Sequence, residues 1–233
     1  MLARSRHIRA IVFDLDDTLF LERNYVRSGF AAVGEYLRDQ TRRRAMFERW
    51  MWRRFISGRR DGMFDALGKH FGLGLTSSEI LRLVDVYRRH RPDIRPCRGV
   101  EAVLSRLRRR RLKLGLLSDG FLPAQRLKLE AIGLEKYFHK VIFTEQMGRD
   151  AWKPSPRGFE SIRRALSAPH AGCVYVADNP AKDFLAPNGL GWLTIQWRRV
   201  GQVHADKPTP QGGKPQRVIR SGPELLRLVE HFT

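Results

Sequence analysis

Acidic residues are scarce in this chain. Its 24 Asp and Glu stand against 44 Lys and Arg, a formal net charge of +20. A surplus that large points to anionic partners: nucleic acid, an acidic surface or anionic small molecules. Lysine is scarce as well, nine against 35 arginines. The arginines are spread over the whole chain, a bias that genome composition alone can produce. Only two cysteines are present, Cys97 and Cys173, too few for a disulfide framework. A reducing cytoplasm is therefore the expected address. No apolar run approaches the ~20 residues that a bilayer crossing needs. The opening MLARSRHIRAIVFDLDD has a short apolar run that ends in acids, unlike a secretory signal. The seven histidines show no paired ligand spacing, which argues against a zinc site. Internal repeats and low-complexity tracts are missing.

What is present is globular. Hydrophobic residues make up 42% of 233 positions and charged residues 29%, with 20 Gly and 12 Pro. That length suits one large domain, or a core with a smaller insert. Five short apolar runs read as buried strands: Ile8 to Asp14, Lys113 to Ser118, Lys140 to Thr144, Gly172 to Asp178 and Trp192 to Trp197. Helical spacing lies between them, in Val100, Val103, Leu104 and Leu107, in Leu127 and Ala131, and in Phe159, Ile162 and Leu166. Alternation of this kind predicts an α/β fold, a mostly parallel sheet with helices on both faces. Arg198 to Pro215 reads as a surface loop, Arg217 to Arg220 as a short edge strand and Gly222 to Phe232 as a closing helix.

One interval breaks the alternation. From Leu21 to Asp93 no strand pattern occurs. Phe47, Trp50, Met51 and Phe55 share one helix face, as do Ile80, Leu83, Val84 and Tyr87. This predicts a helical insert over 21–93 between strands one and two, with Pro92 and Pro96 marking a hinge on its return side. The core would then be 1–20 with 94–233. The helical spacing assigns the aromatic and Met side chains to packing rather than to ligand contact.

Chemistry concentrates at strand ends. Asp14 closes strand one and Asp16 follows two positions on, so period-two geometry aims both carboxylates the same way. Such a pair repels unless a cation or a shared proton compensates, and Mg²⁺ prefers oxygen ligands. Ser118-Asp119-Gly120 ends strand two, where a hydroxyl and free backbone N–H groups suit a phosphate. Lys153 precedes a helix beginning near Pro156, and a compact ammonium there can neutralise a phosphoryl oxygen. Asp178 ends strand four, and Asp183 lies one helical turn beyond it. Each piece taken alone also fits a turn, a cap or a solvated surface group. In a parallel sheet, however, these strand ends converge on one crevice.

With Asp14-Leu15-Asp16-Asp17-Thr18, Ser118, Lys153 and the acids Asp178 and Asp183 in that order, the chain resembles the haloacid dehalogenase-like (HAD) superfamily of phosphohydrolases, over nearly its whole length. The segments after Gly120, and from Leu127 to Thr144-Glu145, look like its phosphatase and nucleotidase branches. The resemblance implies a Rossmann-like core with a small α-helical cap that closes over the substrate. It implies Asp14 as nucleophile, forming an aspartyl-phosphate, and Asp16 as general acid and then base. It implies Mg²⁺ on the Asp14 carboxylate, the Asp16 backbone carbonyl, Asp178 and Asp183, and a phosphate held by Ser118, Asp119, Lys153 and nearby N–H groups. Asp17 is expected to be a local structural group and Thr18 to orient the loop. Hydrolytic dehalogenases of this superfamily generally lack an acid at the position of Asp16, since a halide leaves without a proton.

The function so implied is a Mg²⁺-dependent phosphatase acting on a small phosphorylated metabolite, a sugar phosphate or nucleoside monophosphate. A phosphomutase uses the same acid pair. A basic nucleic-acid-binding protein would instead use Arg42 to Arg44, Arg53-Arg54, Arg59-Arg60 and Arg108 to Arg111, which otherwise read as solvated helix faces. A membrane partner is not expected.

Overall fold

A computed structural model describes residues 7–232. Their strands are β1 (Ala10–Phe13), β2 (Lys113–Ser118), β3 (Lys140–Phe143), β4 (Cys173–Ala177), β5 (Leu193–Trp197) and β6 (Arg217–Ile219). Their helices are α1 (Glu22–Thr41), α2 (Phe47–Ile56), α3 (Met63–His70), α4 (Ser77–Arg89), α5 (Val100–Arg109), α6 (Leu122–Ile132), α7 (Arg157–Ala165), α8 (Leu185–Gly189) and α9 (Gly222–Glu230). The chain folds as two compact units. One comprises the segment ending at Arg23 and the segment starting at Arg95; the other is Asn24–Ile94.

The first unit is an α/β layer structure. All strand pairs are parallel, in the order β3-β2-β1-β4-β5-β6. Strands β1 and β4 are buried at every residue, which is why they read as continuous apolar runs rather than alternating ones. Right-handed crossovers send α5 and α6 to one face, as the chain runs from β1 to β3. The chain then returns and runs outward from β4, which sends α7 and α8 to the other face. Helix α7 sits close on the sheet because β2 offers Gly115, where an added Cβ would meet Ile162 Cδ1 at 2.7 Å. Phe159, Ile162, Tyr175 and Trp192 fill the core on that side.

The reversal of strand order falls between β1 and β4, and this decides where chemistry can happen. In open parallel sheets ligands bind outside the carboxyl ends at such a switch point. Phe13 lies in register with both Leu116 and Val176, so the residues that follow these three strands emerge side by side.

The second unit is helical. Phe47, Met51 and Phe55 of α2, Phe64 and Leu67 of α3 and Leu83 of α4 are buried, as the spacing of the first and last of these sets predicted. Helix α4 starts with a capping box, Thr76 with Glu79. Some arginines of the basic runs contribute to packing: Arg54 lies over Trp50, Arg60 over Phe55, and Arg43 donates to the Phe71 carbonyl. Among the described residues no helix is long and apolar enough to cross a membrane.

Candidate active site

The loop Asp14–Phe20 leaves the end of β1 and is pinned by its own backbone. Asp14 N–H donates to Val176 O at 3.0 Å and Leu19 N–H to Leu15 O at 3.0 Å. Asp17 adopts φ +54°, a left-handed conformation that Asp tolerates better than most residues. Its carboxylate accepts from Glu22 N–H at 2.7 Å and Val203 N–H at 2.5 Å, and its carbonyl from Gln202 Nε2 at 2.7 Å. Burial pushes this carboxyl up to about 6. Asp17 is thus the peg that ties the loop to the segment after β5. Asp17→Ala is expected to cost about 2–4 kcal/mol, because it strands two N–H donors and keeps the positive φ. Chemical denaturation should show it, with Asp17→Asn clearly milder. Thr18 is buried, and its hydroxyl has no hydrogen-bond partner among the described residues.

Asp14, Asp178 and Asp183 converge. Each offers a carboxylate oxygen, all within 4.8 Å of one another, and all three residues are buried. Burial, opposed in part by Lys153 and reinforced by Asp183, raises Asp14 to about 7. Burial, then Asp183 and Asp14, push Asp178 well above the ordinary carboxylate range. Asp178 Oδ2 is buried with no partner among the described residues. Asp183 is positioned by Asn179 N–H, which donates to its Oδ2 at 3.0 Å.

Lys153 answers part of this charge. Its Nζ lies 2.5 Å from Asp14 Oδ1, 2.8 Å from Asp183 Oδ1 and 3.0 Å from the Tyr175 hydroxyl, with the side chain only 1% exposed. Burial opposes its charge, but Asp14 and Asp183 prevail and hold its pKa well above the usual lysine value. One ammonium thus serves two of the three carboxylates, and among the described residues Asp178 has no counterion of its own. An oxygen-only cluster short of positive charge, holding an orphaned buried oxygen, fits a hard divalent cation.

Ser118 and Asp119 lie at the end of β2, as expected. Ser118 Oγ accepts from Gln125 Nε2 at 3.0 Å. The Asp119 carboxylate is engaged by its neighbours. It accepts from Thr144 Oγ1 at 2.8 Å and Lys153 N–H at 3.2 Å, and pairs with Lys182 Nζ at 3.2 Å. Burial would raise this carboxyl, but Lys153, Lys182 and the Thr144 hydrogen bond hold it below the usual range. A phosphoryl contact from this residue would come from its backbone N–H. The side chain acts as an anchor between β2, the residue after β3 and the lysine loop.

Asp16 points to α6. Lys128 Nζ lies 2.7 Å from its Oδ1 and Gln125 Nε2 donates to its Oδ2 at 2.8 Å. Burial favours the neutral acid, but these partners outweigh it and hold the carboxyl below its ordinary value.

Sequence reasoning missed Lys182, Lys128, Gln125, Tyr175 and Thr144. Lys182 lies inside the segment Ala177-Asp178-Asn179-Pro180-Ala181-Lys182-Asp183, between two acids and at no strand or helix end of its own. For α6 the helix was foreseen but not its face. Leu127 is half-buried and Ala131 exposed, while Ala124, Gln125, Lys128, Leu129 and Ile132 turn inward. Both sets have helical spacing, and apolarity alone favours the wrong one because the inner set carries a glutamine and a lysine.

The sequence model of the haloacid dehalogenase-like hydrolases matches residues 8–191. Glyceraldehyde 3-phosphate phosphatase of Methanopyrus kandleri is 28% identical over 234 residues, covering 97% of this chain and 98% of that protein. (S)-2-haloacid dehalogenase of Pseudomonas sp. strain YL is 27% identical, covering 96% of this chain and 95% of that one. Among solved structures, the HAD-hydrolase YfnB of Bacillus subtilis, solved bound to magnesium, superimposes with a TM-score of 0.68 at 21% identity, over 96% of this chain and 99% of that one.

Proposed function

The chain belongs to the haloacid dehalogenase-like hydrolases, and from that premise we propose that it is a Mg²⁺-dependent phosphatase of a small phosphorylated metabolite, a sugar phosphate or nucleoside monophosphate. One observation carries this reading: buried Asp14 shares a charge-crowded pocket with Asp178, Asp183 and Lys153. The acid at position 16 separates phosphate-ester from halide chemistry, because an alkoxide needs a proton to leave and a halide does not.

Asp14 attacks phosphorus through a carboxylate oxygen. The bond to the leaving oxygen breaks, and an aspartyl-phosphate forms. Asp16 delivers the proton that the leaving oxygen takes. In the second half Asp16 accepts a proton from water, whose oxygen attacks phosphorus and releases phosphate and the Asp14 carboxylate. Asp16 is already set for that second half, since Lys128 and Gln125 favour its ionised form. Ser118 and backbone N–H groups at the end of β2 hold phosphoryl oxygens, and Lys153 keeps Asp14 oriented. Asp14, Asp178, Asp183 and the Asp16 carbonyl would hold the metal. Bound there, Mg²⁺ supplies charge neutralisation between an anionic nucleophile and an anionic ester.

Lys182 is half-buried and its ammonium pairs with Asp119, but its side chain is the more accessible of the two lysines, 38% against 1% for Lys153. It is therefore the cation able to meet an incoming dianion. Lys182→Met is expected to raise KM about tenfold, one charge-assisted contact, with a smaller change in kcat. Weaker inhibition by inorganic phosphate should accompany it.

The overall test is phosphate release from an aryl phosphate and a metabolite panel, with Mg²⁺ and with chelator. Equal rates in chelator would remove the metal from the reading. Conversion of one phosphorylated isomer into another without free phosphate would make the protein a mutase.

A further inference from the structure

We propose that Gln125 and Lys128 of α6 are positioning residues that fix the direction of the Asp16 carboxylate, and hence the delivery of the leaving-group proton. The inference rests on the phosphatase reading and goes beyond it, to residues outside the carboxylate cluster and the Ser118 and Lys153 positions.

Asp16 sits in a loop whose one bridge, Asp16 to Phe20, involves backbone only. Nothing in that bridge sets its side-chain rotation. Helix α6 supplies the missing constraint by gripping both oxygens separately, Lys128 at Oδ1 and Gln125 at Oδ2. Two donors on two oxygens fix the carboxylate plane, where a single contact would leave it free to turn. The two residues are three apart on the helix, so their side chains leave from one face.

Three further features separate this clamp from ordinary packing. Gln125 and Lys128 are 2% and 8% exposed. Lysine is almost never buried this deeply without a charge partner, and an aliphatic side chain would serve a merely structural contact at lower cost. The same Gln125 amide nitrogen also lies 3.0 Å from Ser118 Oγ and within reach of the Asp119 carbonyl, so its two hydrogens are shared among Asp16, Ser118 and Asp119. It therefore locks the acid group to the loop that holds the phosphoryl oxygens. Finally, the loop makes room for it. Gly120 has φ +128°, and an added Cβ there would lie 2.9 Å from Gln125 Nε2. Any other residue at 120 would crowd the amide and strain the backbone.

A positioning role predicts dependence on the leaving group, which a structural role does not. An aryl phosphate releases a phenolate that needs no proton, whereas a simple alkyl phosphate releases an alkoxide that does. Lys128→Met and Gln125→Ala are each expected to lower kcat on the alkyl ester about tenfold or more, and on the aryl ester by less than about threefold; KM should be nearly unchanged in Lys128→Met and should rise on both esters alike in Gln125→Ala, which also releases Ser118. Lys128→Arg should recover part of the loss. In an Asp16→Asn background neither change should add a further loss, because the group they direct is gone. Equal losses on the two esters, or losses that add to Asp16→Asn, would overturn the proposal. If Lys128→Met fails to fold, Gln125→Ala carries the same comparison. If Asp16→Asn itself lowers both esters equally, the acid role of Asp16 fails and takes the clamp's purpose with it. If Asp16→Asn is selective and the α6 variants are not, only the clamp fails.

Discussion

Replacing Asp14 with asparagine is expected to lower phosphate release on the order of 10⁴-fold or more, the scale seen when a covalent nucleophile is removed. The fold should survive it. Asp14 is buried among Asp178 and Asp183, and its pKa of about 7 means that its surroundings disfavour the charge even with Lys153 alongside. An uncharged amide of the same shape removes that cost and leaves Lys153 its contact with Asp183. Above pH 7 and without metal, the variant should therefore melt no lower than the parent. Phosphate-release assays paired with thermal melts in chelator test both halves. A variant with parental activity would end the nucleophile assignment, and an inactive variant that melts far lower would mean that structure, not chemistry, was lost.

The second large effect concerns metal and pH together. A carboxyl raised in the folded state contributes stability that is complete below its unfolded value and lost as pH rises through the folded one. For Asp14 the window runs from the model-peptide 3.8 to about 7, and Asp178 shifts in the same direction. In chelator, the parent should thus lose stability relative to Asp14→Asn between pH 4 and pH 7. A cation that binds the ionised cluster reverses this. At about a hundredfold excess over Kd, Mg²⁺ should contribute about 3 kcal/mol, a rise in Tm of about 5–10 °C for a protein of this size. The rise should be large at pH 8 and small at pH 5, where protons compete for the same oxygens. Asp178→Asn, which removes the charge of the carboxylate whose Oδ2 has no hydrogen-bond partner among the described residues, should abolish most of it. A Tm shift that is the same at both pH values, or unaffected in Asp178→Asn, would place the cation elsewhere.

Much of the fold was written in local pattern. Buried parallel strands are continuous apolar runs, and β2 came out at the residues expected, Lys113–Ser118. The others came out shorter. The run from Ile8 to Asp14 contains the four-residue β1, and the run from Gly172 to Asp178 contains β4. Their polar ends leave the ladder to enter the site, so the same residues that marked the strands also ended them. The acids Asp14, Asp178 and Asp183 and the base Lys153 could be named from sequence because each follows a strand or precedes a helix. Strand ends in a parallel sheet have only one direction in which to converge.

Tertiary structure alone decided which side chains those groups face. No local rule distinguishes the face of α6 that carries Leu127 from the one that carries Gln125 and Lys128. The choice was made by Asp16, 112 residues away from Lys128, whose charge makes burying a lysine tolerable. Likewise the partners of the Asp119 carboxylate, Thr144 and Lys182, come from beyond two other strands and are marked by nothing local in the sequence. Periodicity records how a residue meets its neighbours in the chain. Pairing of buried charges depends on distances between segments, and those are set only when the sheet order brings the strand ends together.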